Sequence, residues 1–129
     1  MFYIGFTSSA KPDAGGRKRA TGEITLGDDS QRFETDATHW STGDYESRWR
    51  DAVLRLAGEP GASALVTSYH GPDQGAHEIW PMRREGSTVV IRGPVVVDDL
   101  DAPTESDGSQ SVSEWRFPLG QLLAFAVDE

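Results

Sequence analysis

The chain has 129 residues, which is the length of one domain. It contains no cysteine, so disulfides, thiolate metal sites and cysteine nucleophiles are excluded. Its longest apolar run, Leu122 to Val127, has six residues, whereas a membrane-spanning helix needs about 20. The N-terminus has neither a basic leader nor an apolar stretch of about seven residues. These features predict a small single domain, 1–129, located in the cytoplasm.

Charge is divided unevenly along the chain. The formal net charge is −9, with +3 on residues 1–20 and −12 on residues 21–129. The N-terminal cations are Lys11, Arg17, Lys18 and Arg19. An acidic body repels phosphate backbones and attracts basic proteins, so the balance favours a basic protein partner over nucleic acid. The other interpretation is that the acidity serves solubility alone.

The first third of the chain predicts short strands and a loop. A strand is expected at 2–6, followed by residues 8–22, which have no apolar periodicity and many breakers and therefore predict a mobile loop or tail. Two further strands are expected at 23–26 and 31–35. The Gly-Asp-Asp-Ser sequence between them is typical of a hairpin.

The clearest predicted element is a helix from about 42 to 57. Ser41 lies three residues before Asp44, which is the capping-box pattern at a helix N-terminus. Apolar side chains then recur on one helical face and predict the core-facing stripe. These residues are Tyr45, Trp49, Val53 and Leu56.

The rest of the chain predicts mainly strands, at 62–69, 78–84, 88–92, 95–97 and 112–117, and a short helix at 119–127. Pro81 indicates an edge strand or a bulge, and the consecutive valines at 95–97 indicate a strand covered on both faces. This order of elements predicts an α+β fold: a largely antiparallel sheet with one main amphipathic helix, about 42–57, and a short C-terminal helix, about 119–127.

The motifs of common enzymes are missing from the sequence. It contains no phosphate-binding loop, no dinucleotide fingerprint and no nucleophile elbow. His70 and His77 are expected to meet across a hairpin, but with His39 they match no zinc spacing, and the acids near position 98 fail the calcium-loop spacing. We therefore expect no metal, no cofactor and no catalytic residue. A protein that binds is favoured over one that catalyses.

Four collinear segments resemble a known family. They run from Phe33 to Leu56, from Ser63 to Tyr69, from Ile79 to Met82 and from Val112 to Trp115. Their order and spacing are similar to those of the contact-dependent growth inhibition immunity proteins of the CdiI type. The departures are His39, where members often carry Tyr, and the stretch 98–111, which is shorter and more acidic. The resemblance implies a curved antiparallel sheet, and it implies that one set of matched residues maintains the fold: Trp40, Ser41, Asp44, Tyr45, Trp49 and Trp115.

The resemblance also implies a role, which is binding and blocking a cognate toxin domain, often a nuclease. Together with the charge, it predicts that interface carboxylates pair with Lys or Arg of a basic toxin. The candidates are Asp98, Asp99, Asp101, Glu105, Asp107 and Glu114. Two alternatives stay open. One is a nucleic-acid-binding module of Whirly-like fold that uses the tryptophans and residues 17–19, and the other is an enzyme of unrecognised type that uses His70, His77 and an acid.

Overall fold

The structure, a computed structural model, describes residues 2–12, 14–58, 61–71, 77–97 and 113–127. Its strands are β1 Phe2–Phe6, β2 Lys11–Pro12, β3 Lys18–Leu26, β4 Asp29–Asp36, β5 Ala62–Ser68, β6 His77–Glu85, β7 Thr88–Gly93, β8 Val95–Val97 and β9 Ser113–Pro118. Its helices are α1 Thr42–Arg55 and α2 Leu119–Val127. The predicted α+β class is confirmed, and every strand pairing is antiparallel.

The first sheet is built around β3. Its residues 22–26 pair with β1 and residues 18–19 with β2, while β4 pairs along the other edge. A tight turn at Gly27 and Asp28 connects β3 to β4, with Gly27 at φ 70°. The predicted loop over 8–22 is therefore wrong for 11–12 and for 18–22, which are strands.

The second sheet is built around β6. One edge of β6 pairs with β5, and the other pairs first with β8 and then with β7, which in turn pairs with β9. The prediction of an edge strand at Pro81 is wrong, because Pro81 lies in an interior strand. Pro81 lies between the part of β6 that pairs with β8 and the part that pairs with β7. A missing N–H at this position therefore removes no hydrogen bond along that edge of β6.

The valines of β8 do not follow the prediction. Val95 and Val97 are buried, but Val96 is 47% exposed, so only one face of this short strand is covered. The interruption at Gly93–Pro94 separates β8 from β7, although both pair with the same strand. The final strand begins at 113 among the described residues and leads directly into α2, as predicted.

One apolar core joins the two sheets, apart from a smaller cluster of Ile79, Val95 and Val97 within the second sheet. It contains side chains from the first sheet, the second sheet and both helices, among them Ile24, Trp80, Trp49 and Leu122. The stripe of α1 faces this core, because Tyr45, Trp49 and Val53 are fully buried. Neither described helix has the length and apolar content needed to cross a bilayer.

Candidate functional site

Polar side chains connect the two sheets where β4 and β5 come together. The hydroxyl of Thr35 donates to the carbonyl oxygen of Thr67 at 2.6 Å. The N–H of Asp36 donates to Oγ of Ser68 at 3.2 Å. These side-chain bonds take the place of a backbone ladder between the sheets, so the position of β4 against β5 depends on the identity of the residues at this junction.

Asp36 is the buried centre of the junction. Its carboxylate is 3% exposed and lies 3.1 Å from the guanidinium of Arg17 and 3.2 Å from Nδ1 of His70. The N–H of Thr38 donates to its other oxygen at 3.0 Å. Burial alone raises the pKa of Asp36, but hydrogen bonds from Thr38 and His70 outweigh it and lower the pKa from 3.8 to about 2. Asp36 is therefore ionised at neutral pH.

Tyr45 completes the junction from α1. Its hydroxyl donates to the carbonyl oxygen of Asp36 at 2.6 Å and accepts the N–H of Tyr69 at 2.9 Å. Burial raises the pKa of Tyr45 to about 12, so the hydroxyl keeps the proton that it donates. We define the junction cluster as Asp36, Tyr45, Ser68 and His70.

The junction cluster contains the connectivity of a catalytic triad. Nε2 of His70 lies 3.4 Å from Oγ of Ser68, and Nδ1 lies against Asp36, which is the order nucleophile, base and orienting acid. Ser68, however, is only 5% exposed, and its Oγ already accepts the N–H of Asp36. The N–H groups of Tyr69 and His70 are also engaged, with Tyr45 and with Nδ1 of His77. A hydrolase needs free N–H donors to stabilise the oxyanion of its intermediate. Because these two N–H groups already have acceptors, the arrangement fits a structural link between the sheets better than the active site of a hydrolase.

Aromatic rings form a stack beside the junction cluster. Tyr69 stacks on Trp40 with centroids 4.3 Å apart and on His77 with centroids 4.9 Å apart. The guanidinium of Arg48 lies 3.9 Å from the ring centroid of Trp40. A nucleobase that stacked on Trp40 would need the ring faces that Tyr69 and Arg48 use. The stack therefore disfavours the interpretation of Trp40 as a platform for single-stranded nucleic acid.

His70 and His77 lie close together, as predicted, and His39 lies near Tyr69. The rings of His70 and His77 are 6.1 Å apart, and the exposed ring of His39 is 6.1 Å from Tyr69. Within the described ranges, no group of three or more His, Asp or Glu side chains is arranged to hold a metal ion.

The predicted interface carboxylates fall mostly outside the described residues. This is the case for Asp98, Asp99, Asp101, Glu105 and Asp107. Glu114 is described: it lies on β9, its side chain is 46% exposed, and it is 3.6 Å from Arg116.

A further exposed acid, Asp29, lies close to β9. Trp115, the neighbour of Glu114, donates from Nε1 to Asp29 at 2.9 Å and so connects the first residue of β4 to β9. No local spacing indicates this contact, because Asp29 and Trp115 are 86 positions apart in the chain.

The remaining matched residues support α1 and its packing. The N–H of Asp44 donates to Oγ of Ser41 at 3.1 Å, and the N–H of Ser41 donates to the carboxylate of Asp44 at 2.9 Å, so the predicted capping box is present. Nε1 of Trp49 donates to the carbonyl oxygen of Val66 at 2.7 Å, which attaches the helix to β5.

A protein-family model matches the chain. The family model of the CdiI N-terminal domain matches residues 35–105, more than half of the chain. The chain belongs to the CdiI family of immunity proteins. The matched range includes all four residues of the junction cluster and the whole of α1, so the link between the sheets lies in the part of the chain that the family shares.

A solved structure has the same fold. It is a chain of the CdiA-CT/CdiI toxin and immunity complex from Enterobacter cloacae, with a TM-score of 0.75 at 18% sequence identity. The superposition covers 98% of this chain and 96% of that chain. Comparison with curated proteins gives no match.

Proposed function

We propose that this CdiI protein binds the C-terminal toxin domain of a cognate CdiA protein and neutralises it in the cytoplasm. The family match over residues 35–105 carries this proposal. The likeness to a chain from a CdiA-CT/CdiI complex supports it, since that protein was solved in a toxin and immunity complex. The engaged and buried state of Ser68 supports a binding role rather than a catalytic one.

The first experiment tests neutralisation. The cognate toxin domain, expressed alone, is expected to stop growth, and co-expression of this chain is expected to restore it. Purified chain and toxin domain should co-elute in size-exclusion chromatography. Growth arrest that persists beside well-expressed, folded chain would contradict the proposal.

We further propose that the toxin is a basic nuclease and that acidic complementarity drives the association. The net charge of −12 on residues 21–129 supports this, because an anionic surface competes with the phosphate backbone for a nuclease. The proposed contacts are Asp98, Asp99, Asp101, Glu105, Asp107 and Glu114. Close charge pairs in protein complexes couple by about 1.5–7 kcal/mol, whereas isolated surface pairs contribute about 0–1 kcal/mol.

Replacing the five acids between 98 and 107 by Ser is expected to slow association with the toxin domain and to flatten its salt dependence. Steered association is fast at low ionic strength and falls as salt screens it, so stopped-flow rates across a salt series measure the effect. The matched control replaces Glu46 and Asp51, exposed acids of α1, by Ser. An unchanged association rate at low salt would remove the 98–107 acids from the interface.

A further inference from the structure

A positively charged surface lies beside the junction cluster. Its cations are Arg17, Lys18 and Arg48, and it includes the ring of His70 from the junction cluster; we call these four side chains the donor surface. The side chains of Arg17 and His70 are 41% and 28% exposed, and Lys18 and Arg48 are exposed.

The members of the donor surface are connected through a short stretch of chain. Arg17 and His70 both contact Asp36. The N–H of Lys18 donates to the hydroxyl of Thr38 at 3.1 Å. Trp40 follows Thr38 by two residues, and its ring is in contact with the guanidinium of Arg48. The four side chains come from three separate segments of the chain, at 17–18, 48 and 70, so only the folded chain assembles them.

Three side chains of the donor surface, those of Arg17, Arg48 and His70, are held in place by supporting contacts. Asp36 is buried and ionised and fixes Arg17 and His70 from below. Arg48 lies on Trp40, whose ring is itself stacked on Tyr69. Side chains that are ordered before binding lose less entropy when a partner arrives. Arg and aromatic residues positioned in this way are typical of the few positions that dominate binding energy.

The chemistry of the donor surface selects an anionic partner. Arg and Lys carry donors and no acceptor, and the guanidinium fork matches a carboxylate. The surface has the opposite sign from most of this acidic protein, so it does not fit a uniformly basic partner. A nucleic acid is disfavoured, because the ring faces of Trp40 are in use and the net charge of −9 repels a phosphate chain.

We propose that the donor surface receives an acidic, carboxylate-bearing segment of the toxin domain. This inference rests on the proposed function and adds a second contact to it. Glu114 lies on β9 and the junction on β5, at opposite edges of the second sheet with β6 and β7 between them. Strand spacing separates these two edges by about 14 Å, so we expect the donor surface and Glu114 to contact different parts of the toxin.

The test uses single charge reversals in the full chain. Arg48→Glu and Lys18→Glu are each expected to weaken binding of the cognate toxin domain about tenfold or more, measured by calorimetry. Lys18→Glu provides a second reading if Arg48→Glu disturbs the aromatic stack. The matched control is Arg32→Glu, the same change at an exposed position of β4, where the Kd is expected to stay within about twofold. Melting curves establish that each variant is folded.

The outcomes separate the two proposals. Tight binding by the wild type with an unchanged Kd for both reversals overturns the donor surface and leaves the proposed function standing. Absence of wild-type binding overturns the proposed function itself. Binding of an RNA oligonucleotide by the wild type that both reversals abolish would replace the acidic segment by nucleic acid. Recovery of Arg48→Glu binding by a Glu→Lys change in the toxin would identify the partner carboxylate.

Discussion

At the scale of single residues, Asp36 carries the largest number of dependent contacts at the junction. Its carboxylate, its N–H and its carbonyl oxygen each bind a different segment: Arg17 and His70, Ser68, and Tyr45. A neutral amide in place of the carboxylate cannot accept the bonds from Arg17, Thr38 and His70 with the same strength. The charge of Asp36 therefore contributes to stability as well as to the placement of the donor surface.

The stability of the protein is expected to depend on pH through Asp36. Its pKa is about 2 in the folded chain and 3.8 as its ordinary value, so the unfolded state binds the proton more tightly. The resulting stability, about 2 kcal/mol, is fully present above pH ~4 and is lost as pH falls towards 2. Denaturant unfolding between pH 2 and 7 measures it. In Asp36→Asn the chain should be less stable at pH 7 and its acid slope shallower, while an equal slope in both proteins would contradict the assignment.

At the scale of elements, α1 shows what sequence can predict. Its cap and its apolar stripe are contacts between residues three or four positions apart, so local spacing was enough to place both. The predicted C-terminus at 57 was only slightly late, since the helix ends at Arg55 with Leu56 as its cap.

The start of β3 shows why other elements were missed. Lys18 to Gly22 has no apolar alternation, because the inward positions carry small residues. Gly22 lies directly under the ring of Phe33, where a larger side chain would collide. The junction cluster was missed for a related reason: Asp36 and His70 are 34 positions apart, and only the pairing of sheets brings them together.

The capping box of α1 is expected to contribute measurably to stability. Ser41→Ala removes the acceptor for the N–H of Asp44 and should destabilise the protein by about 1 kcal/mol in urea unfolding. Ser47→Ala, an exposed position within the same helix, is the matched control and should be neutral or slightly stabilising. Equal effects of the two changes would mean that the cap does not determine the stability of this end of the helix.

At the scale of the whole molecule, one core serves two sheets. Side chains of both sheets pack against Trp49 and Leu122, and the junction cluster adds polar links at one edge. Neither sheet buries its apolar face without the other and the helices. The charge of the surface above this core differs from place to place. Cations lie around the junction, and the carboxylates of Asp29 and Glu114 lie at β9.

The two sheets are therefore expected to unfold together. Tryptophan fluorescence, which follows Trp49 and Trp80 in the shared core, and far-UV circular dichroism, which follows the backbone, should give coincident transitions in urea. Thr35→Val removes a bond between the sheets and should lower the midpoint without separating the curves. Two resolved transitions in the wild type would show that the sheets are independent units.

The packing of β1 against α2 affects when the protein can fold during its synthesis. Phe2 lies 5.3 Å from Phe125 and 6.1 Å from Phe117, ring centroid to ring centroid. Phe117 and Phe125, which cover Phe2, are synthesised more than a hundred residues after Phe2. A nascent chain halted before α2 keeps the apolar face of β1 exposed, and such surfaces are the ones that chaperones recognise and that aggregate. Packing of this core is completed only after α2 has left the ribosome, so a chain that stops before residue 119 is expected to keep part of the core uncovered.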